Sequence, residues 1–373
     1  MKVLLKILLM IFTIIIFIVI GGYIFMKQPQ FGKNSTGEQL ERIKSSSNYK
    51  DGKFENLIKV SDAAKDTKFN LYGMLSEFVF NKNERREPAS ELPSIKTDLK
   101  SLKSHENIVV WFGHSSFFLQ IDGKKILIDP VLSGNASPVK FFNKSYKGSD
   151  IYTAEDIPDI DYLFISHDHY DHLDYDTLVK LKAKIKKIIT GLGVGDYFEH
   201  WGFNKDIIIE KDWNETMVLD EGFEAAVTTA SHRSGRGLKS GQTLWVSFVI
   251  KTPNMKVFYS GDSGYGPHFA DIGNTYGPFD IVLMECGQYS KYWKQSHMMP
   301  EEVVQASLDL KAKKLMTAHW AKFTLSLHAW DEPIIRVLEE SKRKDMPLLY
   351  PMIGEKVDVK ETITTDTWWE RVK

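Results

Sequence analysis

The residues most able to do chemistry lie in one run, His167-Asp168-His169-Tyr170-Asp171-His172, which directly follows an apolar stretch, Tyr162-Leu163-Phe164-Ile165-Ser166. Imidazole nitrogens and carboxylate oxygens suit a borderline cation such as Zn²⁺. Alternation over a tight turn lets His167 and His169 converge on one ion while Asp171 and His172 turn toward a second. A lone histidine is usually a satisfied core or surface residue, but HxHxDH straight after a strand is not explained that way. A pair of ions needs further ligands, and open sheets present functional groups just beyond the carboxyl ends of their strands. Three positions share that layout: residues 227–231 run into His232, residues 257–260 into Gly261-Asp262-Ser263-Gly264, and residues 314–318 into His319. The single cysteine, Cys286, excludes an intrachain disulfide framework and a thiolate zinc cage, so the donors must come from carboxylates and the eleven histidines.

The elements that position these residues can be read from residue 106 onward. Short β-branched or aromatic runs bounded by Gly, Asp and Pro alternate with helical stretches, which indicates an α/β architecture. Residues 108–112, 116–121 and 125–128 are expected strands, with Asp122-Gly123 as a hairpin turn because both residues tolerate positive φ. Pro300 begins an expected helix with Val303, Ala306 and Leu310 on one face and Glu301 and Glu302 at its positive end. That helix leads into a strand at 314–318.

Composition bounds the rest. A chain of 373 residues with 43% hydrophobic content can bury a substantial core. Forty-eight basic and forty-nine acidic residues leave a net charge of −1, and there is no basic tract along which a phosphate backbone could lie. No nucleic-acid partner is expected. Residues 7–26 carry no charge, and twenty helical residues span roughly the 30 Å hydrocarbon core of a bilayer. Residues 1–28 therefore read as a membrane anchor, a cleaved signal being the rival; that rival is disfavoured by the length of the run and by the poor cleavage site at Gly21-Gly22-Tyr23. Lys2 and Lys6 favour a cytoplasmic amino end, a contrast weakened by Lys27 and Lys33, and place the body outside the cytoplasm. Residues 29–105 read as a stalk and N-terminal extension, residues 106–360 as the catalytic domain and residues 361–373 as a tail. The charged run 83–88 reads as a solvated connection.

Taken together, HxHxDH, His232, the Gly-Asp-Ser-Gly around Asp262 and His319 resemble the metallo-β-lactamase superfamily over about residues 106–355. Gly113-His114-Ser115-Ser116, Ile128-Asp129-Pro130-Val131, SHDHYDHLD at 166–174, HMMPEE at 297–302 and His319-Trp320 are similar to the branch containing N-acyl-phosphatidylethanolamine-hydrolysing phospholipase D. The ascorbate-6-phosphate lactonase branch shares several of them. The resemblance implies a four-layer αββα sandwich with the site at one edge between two sheets. It also implies two zinc ions, one held by His167, His169 and His232, the other by Asp171, His172 and His319, with Asp262 bridging. Zinc is the expected metal, iron and manganese being the alternatives; a redox di-iron member would be expected to carry a carboxylate where His169 stands.

The implied reaction is hydrolysis by a hydroxide shared between the ions, since bound water has its pKa lowered from ~15.7 toward ~7. On a phosphodiester it would release phosphatidic acid and an alcohol. Asp171, Asp262 and His319 are the expected catalytic set. Asp129 is placed to orient a metal-bound histidine, and His114, His297 and His328 are candidates for proton transfer or phosphate contact. Ser115 lies outside any Gly-x-Ser-x-Gly elbow and is expected to pack rather than attack. The expected partners are the lipid bilayer and a phospholipid substrate, because a tethered site meets bilayer lipid at high effective concentration. Two rivals stand beside this: hydrolysis of a lactone or other small-molecule ester, and a metal-binding membrane protein without catalysis. The second is disfavoured because a structural zinc site is usually closed by four protein ligands. Tyr289, Tyr292 and Trp293, beside Lys291 and Lys294, are expected core or loop packing, with an acyl-lining surface the other reading.

Overall fold

A computed structural model describes residues 2–57, 76–77, 83–360 and 366–372. The chain opens with helix α1 (Lys2–Phe25), none of whose residues is buried; it is long and apolar enough to cross a membrane. Helix α2 (Gly37–Lys44) and the hairpin β1 (Tyr49–Lys50) and β2 (Lys53–Phe54) follow. They lie against the body: Arg42 donates to the Glu210 carbonyl, and Phe54 N–H donates to Gly241 O at 2.8 Å.

The first large sheet is built from β3 (Ile108–Trp111), β4 (Phe117–Ile121), β5 (Lys124–Ile128), β6 (Ile160–Ile165), β7 (Ile185–Gly191) and β8 (Ile208–Lys211). The second is built from β9 (Thr216–Asp220), β10 (Phe223–Thr229), β11 (Val246–Lys251), β12 (Lys256–Tyr259), β13 (Ile281–Glu285), β14 (Leu315–Ala318) and β15 (Leu348–Leu349). The last strand, β16 (Lys356–Asp358), returns to the first sheet and pairs antiparallel with β3. Among the described residues each sheet has seven strands, part antiparallel and part parallel. Between β4 and β5, Asp122 and Gly123 take φ of 48° and 79°, the expected two-residue turn.

Strand alternation shows how the layers stack. Phe117, Leu119, Ile126, Ile128, Tyr162 and Phe164 point between the sheets, whereas Phe118, Leu127, Leu163 and Ile165 point outward. The outward set meets Leu178 and Leu181 of α3 (Tyr175–Leu181) and Phe198 of α4 (Gly195–His200). On the far side the second sheet is covered by α5 (His268–Thr275), α6 (Pro300–Asp309) and α7 (Glu332–Arg343). Helix α6 begins at the expected proline, and Glu302 accepts from the Met299 N–H at 2.8 Å, closing its first turn. The result is a four-layer αββα sandwich.

The parity of the strands decides where chemistry can happen. β3, β5 and β6 of one sheet and β10, β12, β13 and β14 of the other all run the same way within their sheet. Their carboxyl ends carry His114, Asp129, His167, His232, Asp262, Glu285 and His319.

The chain's end contributes as well. Trp368 and Trp369 are almost fully buried, and Trp368 stacks on Trp320 at 5.4 Å, which stacks on Trp111 at 5.2 Å. This column supports the residue beside His319. Trp368→Ala is therefore expected to cost about 3–5 kcal/mol, read as a lower urea midpoint in detergent-solubilised protein.

Candidate metal centre

The backbone around the site is held by contacts between the two sheets. His114 and His319 both adopt left-handed φ, 52° and 67°, a conformation disfavoured for side chains with a Cβ. They are kept there by reciprocal bonds: His319 N–H donates to His114 O at 2.9 Å, and His114 N–H donates to Trp320 O at 3.0 Å. Gly287 permits this approach, since a Cβ there would lie 2.0 Å from His319 O.

Around this frame the imidazoles converge. His167 Nε2 and His232 Nε2 lie 2.9 and 3.2 Å from His169 Nδ1, forming one three-nitrogen group. Asp171 Oδ2 lies 2.9 Å from His114 Nε2 and 3.6 Å from His172 Nε2, and these three group with His319. Asp262 stands between the groups. Its Oδ2 is 3.2 Å from His172 Nε2, 3.7 Å from His232 Nε2 and 3.8 Å from His167 Nε2, while Oδ1 is 3.2 Å from His319 Nδ1.

These donors fit a metal. His172 Nε2 and Asp262 Oδ1 are buried with no well-formed hydrogen bond among the described residues, a costly arrangement that a cation would relieve. Burial, reinforced by neighbouring imidazoles, holds His167, His232 and His319 well below the usual histidine range, so they are neutral and available as ligands. Burial takes His169 to about 4. His172 goes the other way: burial is overcome by Asp262 and Asp171, which raise it. Burial lifts Asp262 to about 6 against the pull of His172, whereas Asp171 is lowered because His172 and His114 outweigh its desolvation.

A supporting layer fixes these rings. Asp129 Oδ2 lies 2.7 Å from His172 Nδ1 and accepts from Tyr259 Oη at 2.6 Å and Ser166 Oγ at 2.5 Å; its Oδ1 accepts from Ser166 N–H at 2.8 Å. Ser115 Oγ pairs with His319 Nδ1 at 2.9 Å, a packing and orienting contact. His297 stacks on His319 at 5.1 Å and faces Glu285 at 3.2 Å. His328 sits a layer back: its Nε2 accepts from Gln288 N–H at 2.7 Å and its ring stacks on Tyr289.

Two contributors lie outside the residues singled out from sequence. Glu285 ends β13 fully buried and grouped with Asp262, His297 and His319; a search of strand ends for Glu as well as for His and Asp would find it. Asn56 clasps the His232 backbone, donating to His232 O at 2.8 Å and accepting His232 N–H at 3.0 Å. It sits in the N-terminal extension, where no pattern marks it.

A cavity of about 620 Å³ opens onto the cluster. His169, Asp171, His232, Asp262, His297 and His319 line it beside Arg233, Tyr292, Trp293 and Leu325. Tyr289 instead is buried and hydrogen-bonded to Glu332.

An αββα sandwich with a buried His/Asp cluster able to bind metal at the shared sheet edge defines a metal-dependent hydrolase of the metallo-β-lactamase fold. Residues 124–320 match the β-lactamase superfamily domain, and the chain belongs to that family. It is 36% identical over 328 residues to the protein Rv0906 of Mycobacterium tuberculosis, covering 87% of each chain. It is 29% identical over 266 residues to N-acyl-phosphatidylethanolamine-hydrolyzing phospholipase D 1 of Caenorhabditis elegans, covering 64% of this chain and 74% of that one. Among solved structures it resembles Igni18, a metallo hydrolase of Ignicoccus hospitalis, with a TM-score of 0.53 and 21% identity over 67% of this chain and 97% of that one.

Because outer contacts fix the orientation of metal-binding histidines, Asp129→Asn is expected to weaken metal retention by about 10–100-fold. Competition with a chromophoric chelator measures this.

Proposed function

We propose that the protein is a zinc-dependent phosphodiesterase of the phospholipase D type, acting on N-acyl-phosphatidylethanolamine-like phospholipids. His167, His169 and His232 would hold one Zn²⁺, Asp171, His172 and His319 the other, and Asp262 would be shared. The observation that carries this reading is the composition of the cavity: a floor of His and Asp side chains able to hold metal, one cationic wall residue, Arg233, an apolar wall of Tyr292, Trp293 and Leu325, and polar groups from Asn56, Gln288, Gln295 and Ser296 between them. That combination suits a group with an anionic phosphoryl centre and an apolar arm. A curated relative named for this activity supports it.

When bound, two zinc ions supply a water of lowered pKa and neutralise charge on phosphoryl oxygens. The chain's own residues do the remaining work. Arg233 lines the cavity together with His169 and His297, where its guanidinium could meet a phosphate oxygen. His297, lining the cavity and braced by Glu285, is placed to move a proton or contact phosphate. Tyr292, Trp293 and Leu325 exclude water and hold an acyl or glycerol arm. Helix α1 anchors the enzyme with its amino end in the cytoplasm and the catalytic body outside.

The test is metal content together with headgroup release from N-acyl-phosphatidylethanolamine, phosphatidylethanolamine and a soluble phosphodiester, with Asp262→Ala for comparison. The expected outcome is about two zinc ions per chain and lipid headgroup release that falls by roughly 100-fold or more in the variant, the scale on which a lost charge-stabilising group acts. Two metals with turnover of a lactone or soluble ester and none of phospholipid would move the assignment to that ester class. Metal without any turnover would make it a binding protein.

A further inference from the structure

The join between α1 and the catalytic body is docked rather than free. Pro29–Phe31 forms a single 3-10 turn held by its backbone. Arg236 donates to Gln30 O from Nε at 3.0 Å and from Nη2 at 2.8 Å, and Trp201 Nε1 donates to Pro29 O at 2.8 Å. The same arginine, 4% exposed, donates from Nη1 to Asp168 O at 2.8 Å and Leu173 O at 2.6 Å, within the metal-ligand loop. Its guanidinium lies 4.0 Å from the Tyr170 ring, and Phe31 meets that ring edge-on at 6.3 Å. One buried side chain thus ties the membrane-proximal turn to the loop that carries His167, His169, Asp171 and His172.

Two loops touch this junction and end in exposed apolar tips. The first is closed by the Asn135–Lys144 bridge and meets the junction where Gln30 Nε2 donates to Pro138 O at 3.4 Å. Its tip presents Phe141 and Phe142, 70% and 57% exposed, with their rings 4.7 Å apart. The second follows His232; Gly237, Leu238 and Lys239 share a small groove with Met26 and Phe31, and Leu238 is 89% exposed. Lys27, Lys140, Lys144 and Lys239 lie in or beside these segments, Lys140 paired with Asp176 at 3.0 Å. Helix α1 has 24 residues, about 36 Å at a rise of ~1.5 Å, so it uses up a ~30 Å hydrocarbon core by its end. Groups that touch residues 26–31 then stand at headgroup level.

We infer that Phe141, Phe142 and Leu238 form a second contact with the bilayer that α1 crosses, so that the catalytic body lies on the membrane surface instead of standing off it. This rests on the reading of α1 as a span and is independent of the substrate. Five residues separate His232 from Leu238, at most about 22 Å of extended chain, so the cavity wall at Arg233 lies close to the lipid headgroups.

The test uses the full chain in vesicles of phosphatidylethanolamine and phosphatidylglycerol. Single cysteines at Phe142→Cys, Leu238→Cys and Glu221→Cys carry an environment-sensitive dye; Cys286 is fully buried, and the unsubstituted chain controls for its labelling. Glu221 lies in the turn between β9 and β10, at the sheet edge opposite the metal cluster. The expected result is loss of fluorescence to shallow nitroxide-labelled lipid at positions 142 and 238, with position 221 unaffected. Flotation of the protein with the vesicles but no quenching at 142 and 238 would overturn the contact while leaving the span intact. Failure to float after an alkaline wash would overturn the span and the contact with it, and equal quenching at all three positions would also overturn the contact.

Discussion

The His/Asp cluster depends on one buried carboxylate, Asp129. A carboxylate sealed from water must have its oxygens matched by donors, because a buried acceptor without partners is costly. Here the match comes from Ser166, Tyr259 and His172. These partners sit at or beyond the ends of β6 and β12, so satisfying one side chain draws the two sheets together at the site. It also fixes the Nδ1 face of His172 and turns Nε2 toward Asp262 and Asp171. The inter-sheet core sets how far apart the sheets lie, and this contact sets the register of the groups at their shared edge.

The electrostatics of the cluster follow from the same burial. Four imidazoles, His167, His169, His232 and His319, are pushed toward the neutral form, while His172 alone is pulled toward the charged form by two carboxylates. The fixed groups therefore call for positive charge between Asp171 and Asp262, where a proton on His172 is one way to supply it and a divalent cation is a better one.

Much of this was legible in the chain because its signals are local. A strand followed at once by HxHxDH, and strand ends at His232, Asp262 and His319, expose both element and chemistry within a few residues. The Asp122-Gly123 turn and the helix beginning at Pro300 are equally short-range. What sequence could not show is contact between distant segments: Asn56 reaching the His232 backbone, Arg236 tying the loop to Gln30, Trp368 supporting Trp320. None belongs to a periodic pattern, since each is a single polar or aromatic residue whose partner is fixed only by the completed fold. His328 illustrates the converse, a histidine near the site in sequence terms whose contacts, to Gln288 and Tyr289, hold a wall instead of facing the cluster.

The return of β16 to pair with β3 bears on how the molecule comes into being. Lys356 lies opposite Val110, so the edge of the first sheet stays open until residues 356–358 pair with it. The segments of the cluster, from His114 to His319, likewise span most of the chain. Such long-range pairing makes folding slow, because a large loop must close before its contacts reward it. A nascent chain would display its histidines one segment at a time, without the geometry that selects a metal. Formation of the cluster therefore waits on closure of the whole segment from His114 to His319 and not on the making of any one of its parts.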